Sequence, residues 1–231
     1  MSRNTNEVIF DTKDRKAERM NFADSIAPAT YNLIIGGVLL YGFIVNALIV
    51  WLGSDFFHAI ASEHYFIFII GYFILCFAGS AISLKAQKPI ISFLGYNLVV
   101  VPIGALLSVF LPAYYISDIL LAIVTTGAVT AAMMILGTIY PRFFAKLGRT
   151  LIVSLLIGII ANLIALIFGY SGNILNWFFV IIFSLYIGYD WQKAQMYPKT
   201  ADNAVDSALD LYLDIINLFL RLLRIISKNR R

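Results

Sequence analysis

Residues 208–224 read ALDLYLDIINLFLRLLR, and how this stretch is read decides how often the chain crosses a membrane. Asp214 sits among leucine, isoleucine and phenylalanine, in a chain that is 61% hydrophobic and 13% charged. A carboxylate in such surroundings is costly unless it is protonated, paired or wetted. Its polar neighbours are ordered. Asp206, Asp210, Asp214, Asn217, Arg221 and Arg224 follow at intervals of 4, 4, 3, 4 and 3 residues, so they fall within roughly 80° of one another around a helix. The stripe is about 27 Å long, close to the hydrocarbon thickness of a bilayer. Acids cluster at its start and bases at its end, as the helix dipole favours. A helix lying on a membrane carries lysine or arginine along its whole polar face. This face begins with three aspartates, so an upright helix inside a bundle is the expectation.

Working outward, apolar runs of bilayer-spanning length occur at 31–52, 65–84, 90–111, 116–140, 150–168 and 174–189, with 206–226 as the seventh. Short connections leave one helical membrane domain over 31–226, a lead-in at 1–30 and a basic tail at 227–231. The lead-in, charged in both signs and without an apolar core, does not read as a signal peptide. Lysine and arginine occupy the N-terminal segment (Arg3, Lys13, Arg15, Lys16, Arg19) and the even connections (Lys85 and Lys88; Arg142, Lys146 and Arg149; Lys193 and Lys199), and the odd connections have none. This places the N-terminus in the cytoplasm. Basic residues dispersed over short loops are a topology signal and exclude a nucleic-acid patch. Lys228, Arg230 and Arg231 make the tail basic too, against a seventh crossing. Spanning is the expectation, with a re-entrant last segment as the alternative. The single cysteine, Cys76, reads as a small buried hydrophobe, and Pro102 is expected to kink the third helix.

Asp214 needs a partner, and Asp190 is the nearest. It closes the sixth span in FSLYIGYD (183–190). If helices six and seven pack antiparallel, the two carboxylates meet at similar depth. Two close carboxylates do not readily ionise together and titrate as a unit. The alternative is that Asp190 is an ordinary interfacial residue facing water.

FSLYIGYD, followed 24 residues on by the aspartate of ALDLYLDIINLFLRLLR, resembles the transmembrane Bax inhibitor motif family, bacterial branch. The resemblance covers residues 181–226 well and is compatible over the other helices. It implies an all-α fold of seven transmembrane helices, the C-terminal one central and wrapped by the other six. It also implies a pH-sensitive pair of aspartates in a calcium-leak pathway, matched by Asp190 and Asp214. A basic residue ending helix two is implied as a latch on the pair. Lys85 matches, as a lysine where arginine is expected, and so lacks the bidentate guanidinium fork. A carboxylate in helix two facing the arginine matched by Arg224 is also part of the pattern. Residues 65–84 contain no Asp or Glu, which leaves Glu63 or Asp118 as substitutes.

Rival chemistries fit less well. Tyr189-Asp190 matches the first motif of intramembrane aspartyl proteases, but Asp214 follows Leu-Tyr-Leu instead of a glycine-rich turn. Gly169-Tyr170-Ser171-Gly172 matches the G-x-S-G of rhomboid proteases, yet His58 and His64 both precede it and no later histidine supplies a base. A glycine–serine turn is the expectation there. Asp55, His58, Glu63 and His64 show no zinc spacing and read as solvated loop residues. Asn46, Asn97, Asn162, Thr125, Thr126 and Thr130 read as interhelical hydrogen-bonding groups.

The expected function is therefore a pH-sensitive calcium (cation) leak channel of a bacterial plasma membrane, with no enzymatic activity and no cofactor. Its partners are the lipid bilayer, protons and calcium as the permeating ion, held weakly and transiently by Asp190 and Asp214. The alternative is a membrane adaptor that regulates membrane proteases or cell-death factors without transport of its own.

Overall fold

The computed structural model describes residues 25–169 and 172–228. The basic residues of the first 24 positions, Tyr170 and Ser171 of the glycine–serine turn, and Arg230 and Arg231 lie outside the described residues. Those described form eight α-helices: α1 Pro28–Glu63, α2 Tyr65–Lys85, α3 Pro89–Phe110, α4 Ile116–Ile139, α5 Pro141–Ala145, α6 Gly148–Ile167, α7 Ile174–Met196 and α8 Ala201–Lys228. A 3-10 turn, Leu111–Ala113, follows α3.

Prolines and one glycine punctuate the chain. Pro28, Pro89 and Pro141 open α1, α3 and α5, at positions where the missing N–H costs nothing and the fixed φ suits a helix. Pro198 keeps Tyr197 extended (φ −66°, ψ 154°) and ends α7. Gly169 has φ 68°, a left-handed conformation that suits glycine after a helix end. α3 runs without interruption through Pro102.

Six helices, α1, α2, α3 with its 3-10 turn, α4, α6 and α7, are long and apolar enough to cross a membrane. Large apolar side chains such as Leu33, Trp51, Phe66, Phe77, Leu166 and Ile174 are exposed along them, as lipid-facing residues are. α8 is amphipathic and the reverse in burial. Of its 28 residues, only Arg224 and Lys228 are exposed.

Several expected boundaries shift. α1 runs to Glu63, so 53–63, expected as a loop, continues the helix; its exposed Asp55, His58 and Glu63 project from helical turns. GSDFFHAIASE contains no proline, and its single Gly53 is tolerated within the helix at a cost of about 1 kcal/mol. α7 continues to Met196, so Asp190 lies within it instead of closing it, and Lys193 is helical. α8 begins at Ala201, five residues before the expected start. Cys76 is half-buried.

Two compact units emerge, and α8 contributes to both. One comprises Asn21–Ile119 and Lys199–Tyr212, hence α1 to α3 and the start of α8. There α2 and α3 cross in backbone contact: a methyl group placed on Gly79 would lie 2.5 Å from the Gly95 carbonyl oxygen. The other contains Leu120–Pro198 and Leu213–Arg231, hence most of α4, then α5 to α7 and the rest of α8. There a methyl on Gly137 of α4 would lie 2.6 Å from the Gly188 carbonyl oxygen of α7.

Candidate functional site

Asp190 and Asp214 belong to the same unit. Asp214 is buried and Asp190 half-buried. Tyr186, one turn before Asp190, shares its helical face.

Close packing surrounds Asp190 on α7. Gly188, two residues earlier, lets the Phe144 ring of α5 press onto the α7 backbone, where any Cβ would clash. Gly148 likewise admits the Tyr189 hydroxyl, 2.7 Å from where its Cβ would stand. On the other side of Asp190, Trp191 Nε1 donates to Thr138 Oγ1 of α4 at 2.9 Å. These contacts hold α7 against its neighbours on both sides of the carboxylate.

Further along α8, Arg221 is half-buried, donates to Asn176 Oδ1 at 3.3 Å and lies 4.0 Å from the centroid of the Phe179 ring. An amide and an aromatic face thus receive its charge. Asn217 donates to the Leu213 carbonyl at 2.8 Å, and Arg224 is exposed.

The acidic half of the stripe lies in the other unit. Asp206 is buried and accepts a short hydrogen bond from the Ser83 hydroxyl. Asp210 is half-buried. Sequence reasoning missed Asp202, which is buried and accepts from Ser92 Oγ at 2.6 Å. Asp202 stands four residues before Asp206 and so extends the stripe by a turn. The signal was present: Thr200 precedes the helix and accepts from the Asn203 N–H at 3.2 Å, an N-cap pattern. Also missed were Tyr31, whose hydroxyl is 3.0 Å from Ser207 Oγ, and Tyr212, which accepts from Asn46 Nδ2 at 2.6 Å.

Lys85, expected as a latch, belongs to this second unit, is exposed and lines an open groove together with Lys88. The two acids named as substitutes for a helix-two carboxylate differ in burial. Glu63 is exposed, whereas Asp118 is fully buried in the first turn of α4, where the helix dipole favours an anion. Among the described residues no three His, Cys, Asp or Glu side chains gather as a metal site.

Comparison with known proteins adds the lineage. The chain is 30% identical to the uncharacterized protein YrjE of Lactococcus lactis over 238 aligned positions, covering 96% of each chain. It is 28% identical to the inner membrane protein YbhL of Escherichia coli over 221 positions, 87% of this chain and 92% of that one. An uncharacterized membrane protein of Streptococcus pyogenes serotype M3 is 36% identical over 135 positions, 54% of this chain and 58% of that one. The model of the Bax1-I family, described as "Inhibitor of apoptosis-promoting Bax1", matches residues 24–231. This match spans both units and all eight helices, and the chain is a membrane protein of the Bax inhibitor-like family.

Proposed function

We propose that the protein is a pH-modulated cation leak pathway, with calcium as the permeating ion and Asp190 and Asp214 as the ion-facing, proton-binding pair. The observation that carries this reading is the carboxylate of Asp214, buried within α8 in the same unit as the half-buried Asp190. Two acids close together in one unit couple their protonation. A hard cation takes six to eight oxygens, so two carboxylates give it a weak, transient stop rather than a tight site. Protonation of either acid removes negative charge from the path, and pH thereby modulates the leak.

In this reading α8 is a seventh crossing at the centre of the bundle. Its 28 residues make about 42 Å of helix, ample for a bilayer. Its near-complete burial supports a helix wrapped by the others. The bacterial plasma membrane and a cytoplasmic N-terminus are parts of the same proposal. The Streptococcus pyogenes and Escherichia coli relatives are named as membrane proteins, and the odd connections carry no lysine or arginine.

A second reading is favoured by the family's own description, which concerns inhibition of a death-promoting factor. In it the protein is an adaptor and the polar stripe of α8 is structural. One experiment separates the two. Purified protein reconstituted alone in liposomes should release trapped calcium at a rate that changes with pH, and Asp190→Asn or Asp214→Asn should flatten that dependence. Liposomes that leak no faster than empty ones at any pH would leave the adaptor reading.

A further inference from the structure

We propose that the groove at the α2–α3 connection binds the phosphate headgroup of an anionic phospholipid. α2 ends at Lys85 and α3 begins at Pro89, and between them opens a groove of about 520 Å³ lined by Ala81, Ile82, Lys85, Gln87, Lys88 and Ile91. This is the size of small-molecule sites. The groove has two chemical halves. Ala81, Ile82 and Ile91 belong to helices long and apolar enough to cross a membrane. Lys85, Gln87 and Lys88 stand at the ends of those helices. A lipid at the bilayer surface has the same order, with acyl chain against the apolar part and phosphate against the cations.

Two buried carboxylates stand near this end, but each is engaged by a serine hydroxyl, Asp206 by Ser83 and Asp202 by Ser92. Both lysines are exposed, and neither side chain makes an ion pair or hydrogen bond among the described residues. α3 starts with no side-chain cap at Lys88, so its positive end acts alongside the two ammonium groups, offset in part by Asp202 on Ser92. A free phosphate would use only the polar half. The apolar half favours a lipid, and juxtamembrane lysines are attracted to an anionic leaflet. This inference stands apart from the leak reading and gives Lys85 and Lys88 equal parts.

The test uses the full chain, delipidated in detergent and offered phosphatidylglycerol and phosphatidylcholine in equal amounts, with retained lipid counted by native mass spectrometry. Wild type should retain phosphatidylglycerol in preference. Lys85→Gln and Lys88→Gln should each lower that preference about fivefold, the double variant should abolish it, and Lys85→Arg/Lys88→Arg should restore it. Lys146→Gln, at another basic connection, should leave it unchanged. Undiminished preference in the double Gln variant overturns the proposal, as does an effect of Lys85→Gln alone with Lys88→Gln silent. Loss of the preference when inorganic phosphate is added would show a site for the free anion, and overturns it too. Thermal unfolding in the same detergent verifies that each variant folds, and the Arg pair keeps the test decisive if a Gln variant does not.

Discussion

Asn46 of α1 and Tyr212 of α8 are joined by a hydrogen bond of 2.6 Å, across a sequence separation of 166 residues. Both are buried, and the Tyr212 ring packs edge-on against Tyr96 of α3 at 5.5 Å. The amide oxygen of Asn46, in contrast, has no hydrogen-bond partner among the described residues. Hydrogen bonds between membrane helices contribute about 0.6 kcal/mol on average and up to about 1.7 kcal/mol. A double-mutant cycle of Asn46→Leu and Tyr212→Phe, read by unfolding in mixed micelles, should give a coupling inside that range. Additive single effects would show that the bond contributes nothing.

The crossing of α2 and α3 is limited by backbone, not by side chains. A Cβ on Gly79 would sit 2.5 Å from the Gly95 oxygen, and one on Gly95 would sit 2.6 Å from the Gly79 oxygen. No rotamer change relieves a clash with a carbonyl, so the helices must separate. Gly79→Ala and Gly95→Ala should each destabilise the protein by about 1–3 kcal/mol. Gly71→Ala, with open space around it, serves as the control. Equal unfolding midpoints for all three variants would refute close packing at the crossing.

What was legible in the sequence was whatever periodicity and punctuation carry. The six apolar spans stood out because each is long and uninterrupted, and the polar face of α8 because its residues repeat at helical spacing. Asp202 escaped because a hydropathy window places the start of a helix where apolar residues begin, not where the cap is. The continuation of α1 to Glu63 escaped for a related reason: exposed polar turns of a helix resemble a loop in hydropathy. Partners were the least legible. Ser83 meets Asp206 and Ser92 meets Asp202 through helix packing, to which one sequence without its contacts gives no key.

Lys199, in the connection between α7 and α8, gives a pH prediction. Burial lowers its pKa from the ordinary 10.5 to about 8, although its ammonium lies 4.4 Å from the centroid of the Tyr31 ring, a contact that favours the charged form. Desolvation is therefore the larger effect. Between about pH 8 and 10.5 the unfolded chain holds this proton and the folded chain does not, so stability rises with pH across that window. Below it both states are protonated and the full cost of burying the charge remains. Lys199→Met should flatten the rise when unfolding is measured at successive pH values. The side chain is half-exposed, so solvent screening keeps the effect small. An Nζ titration midpoint at 10.5 by NMR would contradict the assignment.

Topology is open to direct labelling. In a Cys76→Ala background, single cysteines at Lys88, Lys146 and Lys199 should react from the cytoplasmic side. One at Lys228 should react from outside if α8 crosses the membrane. Cytoplasmic labelling of Lys228→Cys would favour a helix that enters and returns, with the stripe still buried.

The proposed pair makes the sharpest claim, because coupling is a property of two residues and not of either alone. If Asp190 and Asp214 act as the proposed pair, they bind protons in two linked steps. Asp214→Asn should leave Asp190 with a single step at a different midpoint, visible in its carboxyl infrared band. Tyr186→Phe should shift both steps while preserving two. In liposomes, the pH responses of Asp190→Asn, Asp214→Asn and the double variant should be non-additive, the double resembling either single. The Asn side chain keeps the size of Asp, so lost packing would not produce this pattern. Leu218→Ile, a buried apolar exchange one turn further along α8, should leave the pH response intact. Strictly additive responses, with the Asp190 band unmoved by Asp214→Asn, would mean that the two acids titrate independently and that the leak is not governed by a pair.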